Sequence, residues 1–277
     1  MEGKRIHLSK ILPRIITIIL AIVTIWPFYI TVLMAFKTPR ETFQSFYGLP
    51  KVFRLDNFIN AWKITNFSLA FKNSFIVTSV SLVFIVLATS MAGYAIARSN
   101  KKFYNFIYVL FVSGMMVPFQ VIMIPLYKMG RKFGLVNNRW GIILIYICLG
   151  VHLAVFLYTG FVKGIPKELE EAATIDGAST PQIFFKVVFP LLKPITMTIL
   201  VLDTMWIWND FFLPLLFLQD TKIRTLPLTQ FYFYGKYNTQ MNLAFAAFIL
   251  AMIPILIFYF AMQKYIVKGI VAGAVKG

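Results

Sequence analysis

Six long apolar stretches constrain this sequence more than any other feature. Each contains about 20 mainly apolar residues, the length that a helix needs to cross the hydrocarbon core of a bilayer. A chain built this way is predicted to fold as an all-α, polytopic membrane protein with six transmembrane helices. The predicted spans are residues 11–36, 75–97, 103–127, 140–161, 195–218 and 243–265.

The composition of the 277 residues also indicates a membrane protein. Hydrophobic residues make up 59% of the chain and charged residues only 13%, whereas a soluble domain has roughly a quarter charged residues. The net charge of +17 would suit either nucleic acid or anionic lipid headgroups. Lipid is favoured for a membrane protein, so the bilayer is the expected partner and nucleic acid is not.

Cysteine and histidine give no sign of a disulfide framework or a metal site. The one cysteine, Cys148, lies in an apolar stretch and leaves the redox compartment open. The two histidines, His7 and His152, are too far apart in sequence to suggest a metal-ligand cluster. No nucleophile paired with a base is recognisable either, so neither a catalytic residue nor a metal ligand is predicted.

The N-terminal region combines basic residues with a long apolar run, as a signal peptide does. The run is too long for a signal-peptide core, and no small-x-small cleavage pattern follows it. We therefore expect an uncleaved first membrane helix. The whole chain, 1–277, is interpreted as a single transmembrane domain with a core at about 71–267 and a tail at 268–277.

The polar loop at residues 162–193 predicts two short helices joined by a tight turn. Pro166 suits the first position of a helix, and the glutamates that follow lie where the helix dipole favours negative charge. Gly177 can adopt the left-handed conformation that a helix C-cap requires.

The second short helix is predicted from its own capping residues. Ser179 or Thr180 can cap it, with Pro181 at its start and Gln182 placed for a capping box with Ser179. Pro190 is expected to end this helix, because proline lacks the backbone N–H that the next turn needs.

The fifth apolar stretch carries polar residues that suggest a substrate path. A carboxylate in hydrocarbon is costly and marks a functional site by default, and Asp203, Trp206 and Asp210 recur at helical spacing. Together with Asn209 they suit sugar binding through an aromatic face and hydrogen bonds. Asn209 and Asp210 could equally cap or bridge helices near Pro214, where a kink frees carbonyl groups.

The polar loop resembles the EAA signature of permease subunits of ATP-binding-cassette importers. That signature asks for Glu-Ala-Ala, three residues, a glycine, nine residues and then Ile-x-Leu-Pro. Val187 and Phe189 replace the isoleucine and the leucine and keep both positions apolar. The matching residues are Glu171, Ala172, Ala173, Gly177 and Pro190.

Further segments extend the resemblance to the second permease of carbohydrate importers of the maltose-transporter type. The resemblance covers nearly the whole chain and implies a cytoplasmic coupling helix-turn-helix between the fourth and fifth spans. The segments that carry it are residues 57–62, 92–98, 117–120, 208–218 and 268–277.

The resemblance implies that the loop docks into a cleft of a cytoplasmic ATPase. Its small alanines would let the partner approach closely, and Glu170 and Glu171 would reach basic groups there. The implied coupling residues are Glu170, Glu171, Ala172, Ala173, Asp176, Gly177 and Pro190. The implied contacts of the tail with the ATPase dimer are Gly273, Lys276 and Gly277.

The resemblance also implies an orientation. A cytoplasmic coupling loop and six spans place both termini on the cytoplasmic side of a bacterial cell membrane. Basic residues divide almost evenly between the two sides of the six predicted spans, so the positive-inside rule alone does not decide the orientation.

The implied function is that of a permease subunit that moves a sugar or oligosaccharide by ATP-driven alternating access. The sequence has no G-x-x-x-x-G-K-[ST] phosphate loop. We therefore expect a subunit that is not an enzyme, with ATP and Mg bound by partner subunits. The expected partners are a homologous second permease, two ATPase subunits and an extracytoplasmic sugar-binding protein.

Three alternatives remain open at this point. An ion-coupled secondary transporter or channel would use Asp203 or Asp210 as its coupling carboxylate. A membrane scaffold would have no transport path, and an ATP-binding-cassette permease could carry peptides or amino acids. The sequence leaves the identity of the sugar open.

Overall fold

A computed structural model describes the backbone of residues 8–233 and 240–274 and the side chains of residues 12–233 and 240–263. Within these ranges every regular element is a helix, which confirms the predicted all-α fold. The helices are α1 (Leu8–Phe36), α2 (Pro39–Gln44), α3 (Asp56–Ile64), α4 (Phe67–Arg98), α5 (Lys102–Gly114), α6 (Phe119–Lys132), α7 (Arg139–Lys163), α8 (Glu168–Ile175), α9 (Thr180–Ile183), α10 (Phe189–Leu191), α11 (Lys193–Asn209), α12 (Phe212–Phe217) and α13 (Met241–Ala274).

Four uninterrupted helices, α1, α4, α7 and α13, are long and apolar enough to cross a bilayer. The pair α5 and α6 also passes this test but bends by 103°, and the segment 180–191 bends by 72° into α11. Counting each bent pair once gives up to six candidate spans, the number predicted from the apolar stretches, although the second pair begins within the polar loop at residue 180 and not at residue 195.

The third predicted span is broken rather than continuous. α5 ends at Gly114 and α6 begins at Phe119, although the sequence predicted one helix over 103–127. Pro118 explains the break, because it has no N–H for the carbonyl four residues earlier and disfavours helical backbone at Val117. α6 then continues to Lys132, so the loop before α7 is shorter than predicted.

The fifth predicted span, 195–218, is broken as well. α11 ends at Asn209, and Asp210 has extended backbone angles of φ −69° and ψ 130° before α12 starts. The prediction that Asp203, Trp206 and Asp210 share one helical face is therefore wrong at Asp210. The helix has already stopped there, and the face does not continue across the break.

The chain forms two compact units. The first comprises described residues within 1–67 and 229–253. Its core contains small residues of α1, α3 and α13, including Ala35, Ala61 and Ala246. The amide of Asn57 donates to the carbonyls of Ala35 and Lys37, both at 2.8 Å, so a buried side chain fixes the chain where it leaves α1.

The second unit comprises residues 68–228 together with the described part of 254–277. Its core is built around α7, where buried residues recur every four positions and form a continuous stripe that winds slowly around the helix: Ile142, Tyr146, Gly150, Ala154, Tyr158 and Val162. The hydroxyl groups of Tyr158 and Thr196 lie 2.9 Å apart and join α7 to α11. This unit contains the polar loop and both broken spans.

Candidate coupling loop and substrate cavity

The first half of the polar loop folds as predicted. α8 ends in a left-handed glycine, Gly177, with φ +81°. The N–H of Gly177 donates to Thr174 O, and the N–H of Ala178 donates to Ala173 O, both at 3.0 Å. These two bonds form a Schellman C-cap. An added Cβ at Gly177 would meet no atom within 4 Å, so the backbone angle, not space, requires glycine.

The second half has the predicted capping box but a different end. Oε1 of Gln182 accepts from the backbone N–H of Ser179 at 2.8 Å. The helix does not end at Pro190. It widens into a π turn over Phe184–Val188 and continues to Leu191, where it meets α11. The missing N–H of Pro190 leaves a carbonyl of the preceding turn without its usual donor, which favours this wider turn.

An ion pair fastens the polar loop to the end of α4. Nε and a terminal nitrogen of Arg98 lie 2.7 Å and 2.6 Å from Oε1 of Glu170. Arg98 also donates to Ile165 O at 2.9 Å, and the hydroxyl of Tyr94 donates to Oε2 of Glu170 at 2.7 Å. The Glu170 side chain is only 13% exposed. The structure thus directs Glu170 to Arg98 of this chain, whereas the resemblance assigned it to a partner.

The other predicted coupling residues present an accessible surface. Glu171, Ala172, Asp176, Gly177 and Pro190 are exposed, and Ala173 is half-buried against the core. Ile175 is 86% exposed and was missed by sequence reasoning. It could have been found from the sequence as an apolar residue within an otherwise polar turn. Acidic, small and apolar groups therefore share one surface on α8 and the turn after it.

A cavity of about 520 Å³ borders both broken spans. One side comes from the α5–α6 break, the second from the α11–α12 break and the third from α7. Its side chains are mostly apolar or aromatic, with a few polar groups. The residues of greatest chemical interest are Phe119, Gln120, His152, Trp206, Asp210 and Phe212.

Two of the four predicted path residues line this cavity. Trp206 packs edge-to-face on Tyr146, with ring centroids 5.6 Å apart. Asp210 accepts from Tyr146 Oη at 2.9 Å and from the backbone N–H of Phe212 at 3.0 Å. Asp210 therefore joins the break between α11 and α12 to α7, and it binds the first backbone N–H of α12. This is the structural role that the sequence left as an alternative.

The other two predicted path residues lie apart from the cavity lining. Asp203 is 3% exposed, and its Oδ2 has no hydrogen-bond partner among the described residues. The amide of Asn209 donates to Met205 O at 2.8 Å within α11. Sequence reasoning missed Gln120 and His152, although polar side chains in apolar stretches were the signal that could have found them.

The implied tail contacts lie mostly outside the described residues. Gly273 belongs to the last turn of α13, whereas Lys276 and Gly277 are outside the described range. Their implied contact with an ATPase dimer stays a prediction.

Comparison with known proteins identifies relatives over almost the whole chain. Residues 84–272 match the family described as binding-protein-dependent transport system inner membrane component. The chain is 43% identical to a probable starch degradation products transport system permease protein, AmyC, of Thermoanaerobacterium thermosulfurigenes, over 99% of both chains. It is 39% identical to the melibiose/raffinose/stachyose import permease protein MelC of Bacillus subtilis, over 95% of this chain and 97% of the relative.

A solved structure shares the fold. The chain superposes with a TM-score of 0.81 on a chain of a bacterial ABC transporter involved in the import of the acidic polysaccharide alginate. That match covers 96% of this chain and 99% of the other chain. Because the two sequences are only 22% identical, it shows a shared fold and no more. Because the family match covers residues 84–272 and close relatives align end to end, the chain belongs to the family of binding-protein-dependent transport system inner membrane components.

Proposed function

We propose that the chain is a permease subunit of a bacterial ATP-binding-cassette importer that moves sugars or oligosaccharides into the cell. The observation that carries this proposal is the polar loop, in which an exposed acidic and apolar surface is fastened through Glu170 to Arg98 of α4. A surface held in this way can receive a movement and pass it to membrane helices. The relatives named for starch products and for melibiose, raffinose and stachyose support carbohydrate as the cargo.

The proposed assembly contains a second, homologous permease, two ATPase subunits and an extracytoplasmic sugar-binding protein. ATP and Mg are bound by the ATPase subunits. A solved alginate transporter of related fold was crystallised in complex with a periplasmic protein carrying an alginate pentasaccharide, which supports the binding-protein partner. The polar loop faces the cytoplasm in this proposal, and with six spans both termini do too.

Force enters the permease through α8 and leaves it by two routes. One is the contact of Glu170 with Arg98, which moves the end of α4. The other is the bent connection at Leu192, through which the helix ending at Leu191 moves α11. Of these two helices α11 lines the cavity, through Trp206, so a shift of the loop changes the cavity. Alternating access follows if the cavity opens to one side of the membrane before the loop shifts and to the opposite side afterwards.

Charge reversal on the exposed loop surface tests the proposed coupling. In the assembled transporter, reconstituted in liposomes, Glu171→Lys should abolish ATP-dependent uptake of labelled raffinose and reduce copurification of the ATPase. The control is Asp220→Lys, which reverses an exposed carboxylate in another loop, where Oδ1 accepts from the backbone N–H of Lys222 at 2.9 Å, and should leave copurification unchanged. Normal uptake and copurification by Glu171→Lys would contradict the proposed docking surface.

A further inference from the structure

The cavity lies where two interrupted membrane helices meet. Irregular backbone within a membrane protein is tolerated where it is buried or lines a cavity, and substrate sites of transporters favour such breaks. His152 stands 13 residues after the start of α7 and Trp206 stands 13 residues after the start of α11. At a rise of 1.5 Å per residue, both lie roughly 20 Å along their helices. The cavity is therefore deep within these spans.

One wall of the cavity is an aromatic platform. Trp206 is 38% exposed, and its ring packs edge-to-face on Tyr146, a fully buried side chain on α7. Phe119 and Phe212 contribute further aromatic surface from the two breaks. A sugar ring has C–H groups on its faces and hydroxyl groups on its edge, so a pre-positioned indole suits the face of such a ring.

The polar side chains of the cavity are an amide, an imidazole and a carboxylate, those of Gln120, His152 and Asp210. The side-chain amide of Gln120 is exposed and forms no hydrogen bond with the described residues. The buried Nδ1 of His152 is also unpartnered among them. The Gln120 amide is therefore free to bond the hydroxyl groups of a sugar, whereas Nδ1 of His152 is shielded from the open space of the cavity. The carboxylate of Asp210 is already occupied by Tyr146 and the Phe212 backbone.

Charge in the cavity discriminates between sugars. Among the described residues, the lining contains Asp210 and has no lysine or arginine. An acidic sugar would have to bring its carboxylate into this space without a cation to pair with, and beside a carboxylate of the protein, which is costly. A neutral sugar meets no such cost. The volume of about 520 Å³ is within the range of roughly 300–1,000 Å³ typical of small-molecule sites.

We propose that this cavity is a binding subsite for a neutral saccharide, with the ring stacked on Trp206 and its hydroxyl groups bonded by Gln120, and that it rejects uronic acids. The inference rests on the proposed function, since it names the cargo class of the same permease. It also assigns direct substrate contacts to this chain in addition to any made by a second permease.

Equilibrium binding of sugars to the assembled transporter tests the subsite. The measurement is made without nucleotide and without the binding protein, so the coupling of ATP hydrolysis to transport does not affect the result. Tritiated raffinose serves as the neutral trisaccharide and trigalacturonate as the acidic one. Raffinose should bind saturably, and trigalacturonate should bind at least about tenfold more weakly.

Trp206→Ala should weaken raffinose binding about tenfold, a loss of roughly 1.4 kcal/mol. Trp206→Phe should restore much of it, and Trp140→Ala, at an exposed tryptophan outside the cavity, should have no effect.

A second variant tests the charge selectivity on its own. Gln120→Lys adds a cation to the lining and should narrow the difference between the two trisaccharides. Absence of saturable raffinose binding, unchanged binding in Trp206→Ala, or equal binding of both sugars by the unmodified transporter would overturn the subsite. Normal binding without ATP-dependent uptake would instead contradict the proposed function and leave the subsite standing.

Discussion

The two ends of α4 hold the loops beside them by different chemistry. Near the N-terminal end, the fully buried amide of Asn73 donates to the carbonyls of Lys222 and Arg224, both at 3.0 Å, and accepts from Arg139 at 2.7 Å. At the C-terminal end, Arg98 holds Glu170 through an ion pair whose side chains remain about one-seventh exposed. One end uses a buried amide and the other a partly hydrated charge pair.

The difference indicates which loop is built to move. Releasing the loop at Asn73 would leave the fully buried amide of Asn73 without its acceptors, at a cost of about 1–3 kcal/mol. Water or a charged partner can take over part of the Arg98–Glu170 pair, because the two side chains are 14% and 13% exposed, whereas Asn73 is fully buried. The loop with the proposed coupling surface is therefore the adjustable one, and the loop at the opposite end of α4 is fixed.

The largest expected effect is at the buried amide. Asn73→Leu keeps similar bulk but removes three hydrogen bonds, so we expect a loss of about 2–4 kcal/mol of stability. Thermal unfolding of the protein in nanodiscs measures it. Asn105→Leu is the matched control, since that exposed amide has no partner among the described residues. Equal stability of both variants would show that the two ends of α4 do not differ in this way.

Loss of the ion pair should cost less and should act locally. Arg98→Ala is expected to reduce stability by about 1–2 kcal/mol, because water reaches part of the vacated site. Hydrogen exchange should rise in residues 165–177 and remain unchanged in residues 219–228. Lys102→Ala removes an exposed cation four residues away and is the control. Faster exchange in both loops would contradict separate anchoring.

The C-cap glycine tests whether the geometry of the adjustable loop matters in addition to its anchor. Gly177→Ala places a side chain on left-handed backbone, at a cost of about 1 kcal/mol. Uptake should fall although no atom crowds the new Cβ. Gly160→Ala, equally uncrowded but on helical backbone, should be neutral or slightly stabilising. Matching losses in both variants would indicate a general sensitivity to added methyl groups.

The sequence predicted those parts of the fold that are determined by residues close together in the chain. The six apolar stretches follow from runs of about 20 consecutive residues, and the Gly177 cap and the Ser179–Gln182 capping box follow from neighbours within about one helical turn. Conformational preference and hydrogen bonding at that range do not depend on tertiary packing.

The remaining features depend on distant contacts. Arg98 and Glu170 are 72 positions apart, and Asn73 and Lys222 are 149 apart, so no local pattern pairs them. A proline in a membrane helix predicts a kink, but whether the helix breaks, as it does at Pro118, depends on neighbours that satisfy the freed groups. The cavity could not be predicted for the same reason, because its walls come from two such breaks and a third helix.

The smallest effect separates the two interactions that hold Glu170. Tyr94→Phe removes one hydrogen bond at 2.7 Å and leaves the Arg98 pair, so a loss of about 0.5–1.5 kcal/mol is expected. High salt should shrink the destabilisation caused by Arg98→Ala, since salt screens partly exposed charges, but should change that of Tyr94→Phe much less. Tyr104→Phe is the control, because its hydroxyl has no hydrogen bond among the described residues. Salt-independent losses in both variants would show that the pair behaves as a buried anchor, like Asn73, and that the two ends of α4 are equally fixed.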